Sequence, residues 1–166
     1  HLGSFSKSLA PALRLGYIVA EWEIMRRLLP LKGDSGTGAL DQMVVAEYFS
    51  QNFDKHMSHL NGVLHDKLKC MVEAVEREFG TSAECWAPKG GIFLWIKLPD
   101  GVDVRKLLKP AAEAGIIFNE GPAWAVSADN SSSHLRLCFA MPSKQVIQDG
   151  VKAFAQVCYE QTGIPV

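Results

Sequence analysis

The sequence has no long apolar run. Nothing in it approaches the ~18 residues of a membrane-spanning helix, and no charged-then-apolar opening reads as a secretory signal. It also lacks a dominant charge. Seventeen basic and eighteen acidic residues leave a formal net charge of −1, which argues against a broad basic field for nucleic acid. Cysteine is sparse. Cys70, Cys85, Cys138 and Cys158 are too far apart for a CxxC metal or redox pair. Cys70 and Cys158 fall at apolar positions of expected helices, which points to a reduced, cytoplasmic chain. Internal repeats are absent as well. So is an initiating methionine: the chain opens on His1, and its native start is expected upstream.

What is present is an ordinary globular composition, 166 residues long and 48% hydrophobic, enough for a sizeable core. Tyr17–Ala20 reads as a short buried strand behind a polar, glycine-containing loop. Residues 21–31 read as a helix stopped near Pro30, and 32–38 as a flexible linker. Two long helices follow, 39–53 and 54–79, with Asp54 capping the second and Gly80 ending it. From about residue 80 the pattern becomes β-β-α-β-β-α. Strands are expected at 83–87, 91–98, 116–118 and 135–140, and helices at 104–114 and after Ser143. Pro110 inside the first of these helices should kink it. The irregular loop before residue 135 is longer than most structureless connections, a common mark of function.

The densest chemistry lies at the start, in Ser4-Phe5-Ser6-Lys7 followed by Arg14. Lysine condenses with an aldehyde to give a Schiff base, while hydroxyls and a guanidinium together hold a phosphate dianion. An aldehyde partner and a phosphate partner together describe pyridoxal phosphate. Taken singly, Lys7 reads as a surface lysine and Arg136 as the polar face of a half-exposed strand. Likewise Phe93 reads as core.

The stretch GSFSKSLAPALRLGYIVA resembles the cofactor-lysine segment of class I/II aminotransferases, the fold-type I pyridoxal-phosphate enzymes. Gly90–Lys97 (GGIFLWIK) resembles the GG-x-F-x-W strand of that family, and His134–Ala140 (HLRLCFA) its LRLxFA strand, in the same order. The wording is similar to the kynurenine/2-aminoadipate aminotransferase branch and to the aminotransferase-like domain of MocR-type regulators. The resemblance implies an α/β fold with an α+β small domain, the C-terminal part of the fold-type I transferase. Residues 1–37 would be a remnant of the large-domain sheet, 38–79 two long linking helices, and 80–166 the small C-terminal domain. It makes Lys7 the catalytic lysine, and Ser4, Ser6, Lys7 and Arg14 the cofactor-binding set. Arg136 would grip the substrate carboxylate, with Phe93 and Trp124 lining the pocket.

The same resemblance implies pyridoxal 5'-phosphate as cofactor, and an amino acid and a 2-oxo acid as substrates. It implies no nucleic acid or membrane partner for this segment, and a homodimer at full length. The family's electron-sink aspartate, ring-stacking aromatic and 3'-oxygen contacts lie before the lysine, so the chain by itself is expected to be inactive. A MocR-type sensor domain and a lyase on the same scaffold are the alternatives, since fold does not fix reaction. Ala12 stands where the family has glycine, and Asn61 and Leu64 stand where arginine and tyrosine are common. Three further features carry little. The Gly33–Gly38 segment lacks the Lys-Ser/Thr of a phosphate loop, His56 and His59 read as a solvated helix face, and Asn130-Ser131-Ser132 reads as a polar loop.

Overall fold

The computed structural model describes residues 1–34, 36–127 and 130–165. The chain divides into two compact units, 1–61 and 62–166. One helix, α3 (Ala39–Phe79), contributes its first half to one unit and its second half to the other.

The first unit opens with a two-stranded antiparallel ribbon. β1 (Leu2–Ser4) pairs with β2 (Gly16–Ile18), Ser4 opposite Gly16. The segment expected to be a buried strand is therefore shorter and exposed, because its one described partner is β1. Gly3 lies under the Tyr17 ring: a Cβ there would lie 2.1 Å from it, so a larger residue would displace that side chain. The connection carries α1 (Phe5–Ser8) and a 3₁₀ turn at Pro11–Leu13. Ser4 caps α1, its Oγ accepting from Ser6 N–H (3.1 Å). α2 (Trp22–Leu28) runs into a 3₁₀ turn that takes Pro30 in its first positions, where no amide is needed. Only Leu15 and Val45 are buried apolar residues among the described part of this unit.

The two long helices of the sequence reading are one helix. Asp54 caps nothing; it sits in the interior of α3. The helix continues through the polar run around it, whose side chains bond back onto the helix itself. Ser50 Oγ donates to Glu47 O (2.8 Å) and Asn52 Nδ2 to Tyr48 O (3.0 Å). No proline lies between residues 39 and 79.

The second unit is a four-stranded antiparallel sheet covered by helices. The strands are β3 (Glu84–Trp86), β4 (Phe93–Lys97), β5 (Asn119–Glu120) and β6 (His134–Cys138), in spatial order β3-β4-β6-β5. On β4 and β6 the residues Leu94, Ile96, Leu135 and Leu137 are buried, and their alternates Phe93, Trp95, His134 and Arg136 lie on the opposite face. The buried side packs with Met71, Ala74, Val75 and Phe79 of α3 and with Ile147, Val151, Phe154 and Cys158 of α5 (Lys144–Thr162). α5 starts at Ser143, whose Oγ accepts from Val146 N–H (3.3 Å). Burial pushes the Cys158 thiol up to about 12. All four cysteines are free thiols.

Two local expectations change. Pro110 does not kink its helix, because Val104–Leu107 is 3₁₀ and α4 proper begins at Leu108 (Leu108–Glu113). The proline then falls in the first turn, where its missing amide costs no bond. Residues 116–118 are not strand. Ile116 N–H donates to Ala111 O (2.8 Å) and ties the chain back to the end of α4, so pairing with β6 begins only at Asn119.

Candidate active site

The first group of site residues sits on the connection of the β1–β2 ribbon. Its base is closed by strand pairing and by Phe5 N–H donating to Leu15 O (3.1 Å). Ser4, Ser6, Lys7 and Arg14 thus belong to a single closed loop. Lys7 and Arg14 are exposed and Ser6 is half-buried. Ser4 Oγ spends an acceptor on Ser6 N–H and keeps its own hydroxyl hydrogen to donate. Arg14 is the one described non-glycine residue in the left-handed region, at φ 51°. Such strain persists only where the surroundings hold it. Here it closes the Pro11–Leu13 turn, with Arg14 N–H and Nη1 both donating to Pro11 O (3.3 and 3.2 Å). Ala12 lies in that turn outside the left-handed region, so alanine is accommodated there without strain.

No acidic residue occurs in residues 1–20. Two hydroxyls, an ammonium and a guanidinium on one loop without a competing carboxylate fit a phosphorylated aldehyde. The hydroxyls and Arg14 suit the dianion, and Lys7 the carbonyl. Among the described residues Lys7 Nζ has no hydrogen-bond or ion-pair partner.

The second group lies on the polar face of the sheet. Arg136 on β6 is clasped between two aromatic rings. Its guanidinium carbon is 3.8 Å from the centroid of Phe93 and 3.7 Å from that of Trp124. Both planar faces of the cation are therefore covered, at distances where cation–π attraction is full. The edge carries the remaining chemistry. Nη2 donates to Asn119 Oδ1 (3.0 Å), while Nε is buried with no partner among the described residues. A buried donor left without a partner costs about 1–3 kcal/mol, so its retention calls for a reason. An edge-on carboxylate supplies one, since its two oxygens match the guanidinium fork in the plane between the rings.

Register explains the placement. Arg136 faces Trp95 across the β4 pair and Asn119 across the β5 pair, and Phe93 is two residues along β4 from Trp95 on the same face. Trp124 arrives by a 3₁₀ turn at Gly121–Ala123, Trp124 N–H donating to Gly121 O (2.9 Å). Here a glycine is required, since a Cβ at residue 121 would lie 2.5 Å from Ser131 O and 2.7 Å from His134 O. Beside the clamp, His134 stacks on Trp95 (5.7 Å), with its Nδ1 buried and without a partner among the described residues.

Sequence reading named Phe93, Trp124 and Arg136, and the structure brings these three together. It missed Asn119, which lies one residue past a segment read as strand. It also missed the role of His56 in the first unit. Rather than lying on a solvated face, that ring is half-buried and bonded on both nitrogens. His59 is exposed. Of the Gly33–Gly38 segment, Ser35 lies outside the described residues, as do Ala128 and Asp129 of the long loop. Among the described residues no group of His, Cys, Asp and Glu is placed to hold a metal, and no helix is long and apolar enough to cross a membrane.

The chain belongs to the aminotransferase class I and II family, whose model matches residues 1–154. It is 32% identical over 154 residues to the 2-aminoadipate transaminase of Thermus thermophilus, covering 92% of this chain and 38% of that enzyme. The HTH-type transcriptional regulator YdfD of Bacillus subtilis, itself uncharacterized, is 32% identical over 91% of the chain and 31% of its own length. Among solved structures, the Thermus thermophilus α-aminoadipate aminotransferase LysN superposes with a TM-score of 0.89 at 31% identity. That match covers 98% of this chain and 42% of LysN, which was crystallised with N-(5'-phosphopyridoxyl)-L-leucine. The fold is thus that of fold-type I aminotransferases, and pyridoxal phosphate is the cofactor the family indicates. The chain spans less than half the length of these relatives.

Proposed function

We infer that this chain is the part of a pyridoxal-phosphate aminotransferase that carries the cofactor lysine and the substrate-carboxylate arginine. The observation that carries the reading is the Arg136 clamp, with two aromatic rings on the guanidinium and a buried Nε that has no partner among the described residues. The substrates are an amino acid and a 2-oxo acid. Residues 1–37 belong to a larger cofactor-binding domain, 38–79 link the domains, and 80–166 form the small domain. The complete protein is read as a cytoplasmic homodimer.

Each residue has a task in this scheme. Ser4, Ser6 and Arg14 would hold the phosphate and so keep the cofactor within reach of Lys7. When bound, the cofactor supplies a conjugated ring that accepts the electron pair left when the substrate α-carbon loses its proton. Lys7 Nζ would take that proton and deliver it to the cofactor C4′. Arg136 holds the α-carboxylate by its edge. Phe93 and Trp124 keep the guanidinium plane fixed and water off its faces, so the carboxylate docks in one orientation.

Borohydride reduction of the cofactor-loaded complete protein, followed by peptide mapping, should place the pyridoxyl label on Lys7. A label on another lysine rejects the assignment. The 166-residue chain incubated with pyridoxal phosphate, an amino acid and a 2-oxo acid should show no amino transfer; measurable transfer overturns that part of the reading.

The YdfD match supports a second reading, a sensor domain of a transcription regulator. Its distinguishing result is a complete protein that binds cofactor through Lys7, changes its absorbance with an amino acid, and forms no 2-oxo acid product.

A further inference from the structure

His56 lies on α3, far from Lys7 in sequence and outside the cofactor loop. In the structure it reaches that loop directly. Its Nε2 is 2.8 Å from the backbone carbonyl of Ser8, the residue next to Lys7. A carbonyl only accepts, so Nε2 carries the hydrogen and donates. In the neutral ring this leaves Nδ1 as an acceptor, and it takes the hydroxyl of Tyr48 (3.1 Å). The ring is further held by aromatic neighbours, Tyr48 edge-on at 5.6 Å and Phe49 at 5.8 Å. The bonds at its two nitrogens and the neighbouring rings thus fix the imidazole in position and tautomer.

The loop has reason to need such a tether. α1 is a single turn of four residues, too short to hold itself. Its own hydrogen bonds are local: the Ser4 cap, Phe5 N–H on Leu15 O, and Leu9 and Ala10 N–H on Phe5 O. Two contacts come from α3. Phe5 packs on Phe49 with centroids 5.9 Å apart, and His56 binds the Ser8 carbonyl. Lys7 is about 200° round the turn from Phe5, so the Phe5–Phe49 contact leaves the lysine on the other side, where it is exposed, and the Ser8 carbonyl at the end of the turn takes the His56 bond.

We propose that His56 is a positioning residue for Lys7, holding the lysine turn on α3 through the Ser8 carbonyl, with Tyr48 fixing the imidazole. The proposal rests on the reading of Lys7 as the cofactor lysine. It adds that the lysine's placement depends on a specific hydrogen bond from α3 as well as on the loop.

The test uses the complete protein with His56→Leu and His56→Gln. Leucine fills similar space without a donor, while the glutamine amide reaches about as far as Nε2 and restores one. Two readouts are taken. The first is hydrogen exchange at the amides of residues 5–10, with and without pyridoxal phosphate. Loss of one hydrogen bond should speed it about fivefold in His56→Leu. The second is steady-state kinetics, in which kcat should fall roughly tenfold in His56→Leu with KM for the amino acid unchanged, as expected for a misplaced reacting group. His56→Gln should return both readouts close to wild type. If both variants match wild type, or if both are impaired equally, the donor role is overturned. Borohydride mapping on the same samples separates the two ideas. A label on Lys7 with silent variants rejects the tether alone, and a label elsewhere rejects the reading of Lys7 whatever the exchange shows.

Discussion

At the level of single residues, the clearest division of labour is around Arg136. An arginine on an exposed strand face is usually free to move. This one has lost that freedom to two rings, and its charge is presented as an edge. The arrangement favours a planar, bidentate anion over a point contact, which a lysine would not reproduce. In the complete protein, Arg136→Lys should therefore raise KM for the amino acid roughly thirtyfold, the equivalent of about 2 kcal/mol, and leave cofactor affinity unchanged. Asn119→Ala removes one partner of the same guanidinium and should raise KM by a smaller factor, about fivefold. Steady-state kinetics with a parallel cofactor titration check both. A loss of cofactor binding in either variant would contradict the carboxylate role.

Elements set where these residues fall, and here sequence and structure can be weighed against each other. The β-β-α-β-β-α order of the second unit is readable because strand alternation and the Ser143 cap are local signals. The continuity of α3 is less legible. Asp54 is a good capping residue by type, but type does not reveal that Ser50 and Asn52 bond back to their own helix. The start of β5 is displaced for a similar reason, since the tie between Ile116 and Ala111 depends on how α4 ends. Phe93 and Arg136 carry family motifs, and Trp124 takes its place from the family pattern. Asn119 carries no such signal, and only strand register brings it opposite Arg136. The same dependence on register makes Gly121 a sensitive point. Its Cα packs against the backbone at Ser131 and His134, and the turn it opens delivers Trp124 to the clamp. Gly121→Ala forces backbone apart rather than side chain, and should destabilise the second unit by about 2 kcal/mol or more. Urea unfolding of the chain measures it. A change within a few tenths of a kcal/mol would mean that the turn relaxes freely and does not fix Trp124.

Across the whole molecule the two units differ in how they can be stable. The second has a continuous apolar core drawn from α3, α4, α5 and the sheet, including fully buried Leu94, Leu107, Leu135, Phe139 and Phe154. The first has Leu15 and Val45, and leaves Tyr17, Ile18, Trp22, Ile24 and Leu29 exposed around a two-stranded ribbon. Such a ribbon is marginal without a further strand or helix face to cover it. Cooperative protection against exchange follows buried apolar area, not secondary-structure content. For the 166-residue chain in isolation, the slowest amides should lie on β4, β6, α5 and the second half of α3. Amides of β1, β2 and α2 should exchange on the order of a thousandfold faster, since opening them exposes little new apolar surface. The lysine loop rides on that less protected ribbon. If the reading of residues 1–37 as part of a larger domain holds, the same amides should become as slow as those of β6 in the complete protein. Equal protection of both units in the isolated chain would instead mean that the ribbon is stable by itself, and the case for a covering domain would have to rest on the family alone.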